Sequence, residues 1–162
     1  MSKRYKVFRI CCFVFTIALL GAMWFFSSQN AAESAELSGS VTRFIMRLFG
    51  IEDNSTNLLR MQHVVRKTAH FCLFALLGLS LGFAIALPQR PVNAFWALPV
   101  AAVSAIADEV HQTHVTGRGG MWQDALLDSC GALVGILAAF IILRRIARCL
   151  ERKRSGEQEL QG

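Results

Sequence analysis

Four apolar runs, roughly Ile10 to Phe26, Ala69 to Leu87, Val92 to Val110 and Ala125 to Leu143, dominate the chain. Each is close to the length that crosses a bilayer. A spanning helix needs about 20 largely apolar residues, because the hydrocarbon core is about 30 Å thick and every backbone polar group inside it must find a partner within the segment. Four such runs in 162 residues leave no room for a separate soluble domain, and 54% hydrophobic content against 17% charged residues agrees. The expected fold class is all-α: a polytopic membrane protein built as a four-transmembrane-helix bundle. It divides into a basic N-terminus (1–9), a membrane domain (10–143) and a basic tail (144–162).

The formal net charge of +6 is not gathered into a nucleic-acid-binding patch, and no nucleic-acid partner is expected. Lys3, Arg4, Lys6 and Arg9 precede the first run, Arg90 lies between the second and third, and Arg144, Arg145, Arg148, Arg152, Lys153 and Arg154 follow the fourth. Basic residues flanking spans mark the cytoplasmic side, so both termini are expected inside. Arg43, Arg47, Arg60, Arg66 and Lys67 fall in the first outer loop, whose length of about 40 residues gives them little weight in that rule. The basic start, apolar run and small residues Ala31, Ala32 and Ala35 imitate a signal peptide. The run is longer than a signal core and ends in the aromatic belt Trp24, Phe25 and Phe26, which points to an uncleaved anchor. Cys11, Cys12, Cys72 and Cys130 fall in spans, so the five cysteines make no disulfide framework.

Within the first outer loop, Leu37, Val41, Phe44, Ile45, Leu48 and Phe49 recur at helical spacing. This predicts an amphipathic helix too short to span, either lying in the membrane interface with Arg43 and Arg47 toward headgroups or capping the bundle. Gly50 ends it. The following IEDNSTN supplies a cap for a helix that runs unbroken from about Asn57 into the second span, carrying Arg66 and His70 one turn apart.

Where the third run gives way to the fourth, the sequence ADEVHQTHVTGRGGMWQDALLD concentrates charge between two apolar segments fit for a bilayer. Ionisable groups near hydrocarbon are costly unless paired or wetted, so such a cluster is a candidate site by default. Ala101, Ala105, Asp108 and Gln112 share one helical face, with Glu109 at its edge. Asp124, Asp128, Gly131 and Gly135 share another, on which Gly131 and Gly135 form a GxxxG. Gly117, Gly119 and Gly120 let the connection turn sharply. The candidate ligand-binding residues are therefore Arg66, Lys67, His70, Asp108, Glu109, Gln112, Arg118, Asp124 and Asp128, a crown at the outer end of the bundle.

RKTAHF (Arg66 to Phe71), DEVHQ (Asp108 to Gln112), Gly117 with Arg118, and DALLD with GALVG (Asp124 to Gly135) together resemble the motif series of the VanZ-like family of bacterial membrane proteins. FSSQ (Phe26 to Gln29) is similar to that family's first-loop motif. The resemblance covers about Trp24 to Leu143, with Thr116 where the family often has proline. It implies a multi-pass protein of the bacterial cell (plasma) membrane and cell envelope, in a family whose founding member is associated with low-level resistance to the glycopeptide teicoplanin. It implies no settled reaction.

Three functions fit these residues. In the first, the crown binds membrane lipid, a lipid-linked cell-wall precursor or a glycopeptide, with Arg66, Lys67 and Arg118 holding anionic groups. In the second, an intramembrane enzyme uses His70 with Asp108 or Glu109 as acid and base on a lipid-linked substrate. In the third, the charges tie helix tips together. No metal or cofactor is assigned, since there is no HExxH and His111 with His114 is a poor substitute. Without an internal repeat, a transporter is disfavoured, and the sequence leaves the oligomeric state open.

Overall fold

The computed structural model describes residues 3–117 and 119–159. Its α-helices are α1 (Lys3–Ser27), α2 (Ala31–Leu48), α3 (Ser55–Ile85), α4 (Ala97–Thr113) and α5 (Trp122–Glu159), with a 3-10 turn at Pro91–Trp96 ahead of α4. There is no strand among the described residues. Four helical segments are long and apolar enough to cross a membrane: Lys3–Ser27, Ser55–Ile85, Pro91–Thr113 and Trp122–Lys153. They match the four expected runs. Two helices extend past them, α3 at its N-terminus and α5 through Arg144 and Arg145 to Glu159. Loss of apolar character ends a span without ending a helix.

Close approach of α3 and α5 organises the bundle. A Cβ added at Gly135 would overlap the Ala75 carbonyl, one at Gly131 the Phe71 carbonyl, and one at Gly78 the backbone of Ala132. Lipid tails are as apolar as leucine, so helices in a bilayer associate through such tight packing and through polar contacts. Contacts rise together along both chains, from Phe71 with Gly131 through Ala75 with Gly135 to Gly82 with Ala139, so α3 and α5 run parallel.

α1 runs antiparallel to α3. Tyr5 Oη donates to Ala86 O at 3.1 Å and Arg9 Nε to Ala84 O at 2.7 Å, satisfying carbonyls at the C-terminal end of α3 that have no partner within the helix. Midway, the Thr16 and Ser80 hydroxyls meet at 2.8 Å in a buried contact. α4 returns against α5 and α3 on the alanine seam Ala97, Ala101 and Ala105, all fully buried, which leads up to buried Asp108 as its periodicity predicts.

α2 starts with a reciprocal cap in which Glu33 N donates to Asn30 Oδ1 and Asn30 N to Glu33 Oε2. At its other end Gly50 adopts φ 65°, the left-handed conformation that turns the chain back. The helix lies along the N-terminal part of α3, where Gln62 Nε2 donates to Ala35 O at 3.2 Å. Its buried side is Ser34, Thr42 and Met46, whereas Leu37, Val41, Phe44, Leu48 and Phe49 are exposed. The apolar stripe therefore faces away from the bundle, which removes the capping alternative.

Candidate functional site

The α3–α5 register decides which charges meet. With the glycines of α5 seated on α3, Asp124 and Asp128, about two turns and one turn before Gly131 on nearly the same face, come to lie opposite Lys67 and His70. Lys67 Nζ donates to Asp124 Oδ1, both side chains about one-third exposed. One turn deeper, His70 Nδ1 lies 3.5 Å from Asp128 Oδ2 and 3.8 Å from Asp108 Oδ2. The three residues come from three helices. Asp108 and Asp128 are buried, at 5% and 2% exposure, while the His70 side chain keeps 27%.

Depth in the bilayer follows from helix length. Counting about 20 residues back from Ile85 brings the membrane boundary to about residue 65. Lys67 is then at the rim and His70 about 7.5 Å below the boundary at 1.5 Å per residue. Counting back from Leu143 on α5 places Asp124 at the rim and Asp128 below in the same way.

The ends of α4 and the loop after it close the site from the side. Gln112 Nε2 donates to Asp108 Oδ2 at 2.8 Å, fixing that carboxylate. Glu109 Oε1 accepts from the Met121 backbone N–H, which holds the end of the loop against α4. Gly120 makes this contact possible, because a Cβ there would run into Thr113 and lie 3.1 Å from the Glu109 carbonyl. What remains between α3, α5 and the loop is a cavity of about 190 Å³ lined by Arg66, Lys67, His70, Glu109, Gln112, Asp124 and Asp128, with Gly117 and Gly119 at its edge. Arg66 lines it half-buried and has no carboxylate within salt-bridge distance among the described residues.

Eight of the nine expected crown residues thus converge: seven line the cavity and Asp108 stands behind His70. The ninth, Arg118, lies outside the described residues. In the acid–base expectation His70 was paired with Asp108 or Glu109; Asp108 does face it, and Asp128 is nearer still. Two histidines to which the sequence assigns no role also take part. His63 lines the cavity mouth, and His111 stacks on Trp24 with ring centroids 4.3 Å apart while its Nε2 lies 3.0 Å from Ser28 Oγ. That contact ties the FSSQ segment at the end of α1 to the last turn of α4, and spacing within the sequence gives no sign of it.

The family model described as VanZ/LLP1 matches residues 12–144, a stretch that contains this entire arrangement. The chain belongs to the VanZ/LLP1 family. Comparison with curated proteins and with solved structures gave no match. Together with four helices fit to span a bilayer, family membership makes this a VanZ-family membrane protein whose charged motifs gather at one end of the bundle.

Proposed function

We propose that this VanZ-family protein sits in the bacterial plasma membrane with both termini cytoplasmic and binds the anionic headgroup of a membrane lipid or lipid-linked cell-wall precursor at its outer face. The observation that carries the reading is Arg66. It lines a polar cavity at the depth of the headgroups, and no carboxylate among the described residues neutralises it. A guanidinium in that position is a ready partner for phosphate or carboxylate, because its planar donor fork matches two acceptor oxygens. Lys67 is held beside it by Asp124. The cavity volume of about 190 Å³ suits a headgroup fragment and excludes a whole glycopeptide. The exposed stripe of α2 supports the same reading, since it would lie in the interface beside the cavity. On this reading any contribution to teicoplanin resistance follows from occupying or masking a lipid-borne target.

The test is lipid retention. The purified protein, reconstituted in nanodiscs containing phosphatidylglycerol and phosphatidylcholine, is expected to enrich the anionic lipid in its bound fraction by mass spectrometry. Arg66→Gln is expected to reduce that enrichment about tenfold, the equivalent of one charge-assisted hydrogen-bond pair. In a susceptible host the same variant is expected to lose any rise in teicoplanin tolerance. Equal enrichment in the wild type and Arg66→Gln would rule the reading out.

A further inference from the structure

The floor of the cavity holds more negative charge than its neighbours balance. Asp108 and Asp128 are buried, with His70 between them, and Lys67 at the rim is already engaged by Asp124. The second oxygen of Asp128, Oδ1, is buried and accepts no hydrogen bond from any described residue. A buried carboxylate oxygen without a donor is costly, and two neighbouring carboxylates below the membrane boundary cost more unless a cation lies among them. One imidazolium would offset one of the two charges. A divalent ion offsets both.

Geometry favours the ion. Nδ1 of His70 and one oxygen from each aspartate all lie within 4.8 Å of one another, with the measured pairs at 3.5 and 3.8 Å. Donors bound at 2.0–2.2 Å to a tetrahedral ion stand about 3.4 Å apart, so the two spacings from His70 are within a few tenths of an ångström of a closed shell, and the aspartates need only draw together around the ion. Each donor comes from a different helix, and Gln112 already fixes Asp108 as groups behind a metal ligand do.

We propose that His70, Asp108 and Asp128 bind a divalent transition-metal ion at the base of the cavity, leaving a position open toward Arg66. One imidazole and two carboxylates form a borderline set suited to Zn2+, Mn2+ or Fe2+. The metal does not depend on the headgroup reading, although a headgroup phosphate would complete its shell, and the two fail separately. Metal binding is read in detergent without added lipid, whereas the lipid assay turns on Arg66, which is not a ligand.

The experiment loads metal-stripped, purified full chain with Zn2+ and measures bound metal after dialysis. The wild type is expected to hold one ion per chain, and His70→Ala and Asp128→Asn to lose it while remaining monodisperse. Gln112→Leu is expected to weaken binding about 10- to 100-fold through the freed Asp108 carboxylate. Asp53→Asn, at the exposed Arg43 pair away from the cavity, is expected to bind as the wild type does. No bound ion in the wild type, or equal binding in the His70 and Asp128 variants, would overturn the proposal. Should those variants fail to fold, the visible spectrum of the Co2+-loaded wild type decides. Bands of a nitrogen and oxygen shell support the site, and thiolate-to-metal charge transfer overturns it by assigning the ion to the free cysteines.

Discussion

Two chemically identical substitutions, Gly135→Ala and Gly21→Ala, should move stability in opposite directions. Both replace glycine inside a long helix, where alanine is favoured by about 1 kcal/mol through reduced freedom of the unfolded chain. At Gly21 the new methyl meets nothing within 4 Å, so that gain stands alone. At Gly135 it overlaps the Ala75 carbonyl oxygen and lies 2.7 Å from Leu79 N and 2.9 Å from Ala75 C. These are backbone atoms in a neighbouring helix and cannot rotate aside, so α3 and α5 must separate. Overpacking of this kind costs about 1–3 kcal/mol, more than propensity returns at its upper end. The expected result is a loss of up to about 2 kcal/mol for Gly135→Ala and a gain of up to about 1 kcal/mol for Gly21→Ala. Denaturant titration in detergent micelles, followed by the fluorescence of Trp24, Trp96 and Trp122, reads both. If Gly135→Ala proves as stable as Gly21→Ala, the α3–α5 contact is not the close-packed seam on which the site's register depends.

The rim pair should couple energetically. A double-mutant cycle on Lys67→Met and Asp124→Asn is expected to return about 1 kcal/mol, at the upper end for surface pairs because both side chains are partly buried, and to fall with added salt; a value indistinguishable from zero at low salt would mean that the pair holds nothing. For α2, nitroxides introduced in a cysteine-free background at Phe44 and Leu48 should be accessible to oxygen dissolved in the bilayer, while one at Arg43 should be accessible to a water-soluble relaxant. Identical accessibility at all three would show that the exposed stripe does not meet lipid.

The parts of this fold that were legible in the sequence are those encoded locally. Span length and helical spacing depend on residues within a few turns of one another, so four spans, the amphipathic α2 and the unbroken α3 follow from them. The place of two aspartates at the α3–α5 seam followed as well, because Asp124 and Asp128 share a face with Gly131 and Gly135 and therefore had to go where the tight packing went. Relations between helices were less accessible. The seat of α2 on α3 uses Ser34, Thr42 and Met46, a row with little hydropathic contrast, so nothing in the pattern announced it. The stacking of His111 on Trp24 depends on where two helix tips end in space. Asp128 facing His70 is likewise a matter of register between α3 and α5, set by carbonyl-to-glycine contacts one turn further along.

That dependence also explains why the site has two tiers with different chemistry. At the rim, Lys67 and Asp124 remain about one-third exposed, in a setting where water and salt screen them and where a pair can open to admit a ligand. One turn deeper, Asp108 and Asp128 are buried behind His70 by the same packed seam, where each unbalanced charge acts at lower effective dielectric. A substitution at the rim is therefore absorbed by solvent, whereas one at the floor leaves a buried partner exposed to its full desolvation cost. A cavity joining an Arg66 that has no carboxylate partner among the described residues above to an acidic floor below is poorly suited to closing on itself. Its two ends ask for opposite charges, and an anionic headgroup resting on a metal ion would satisfy both.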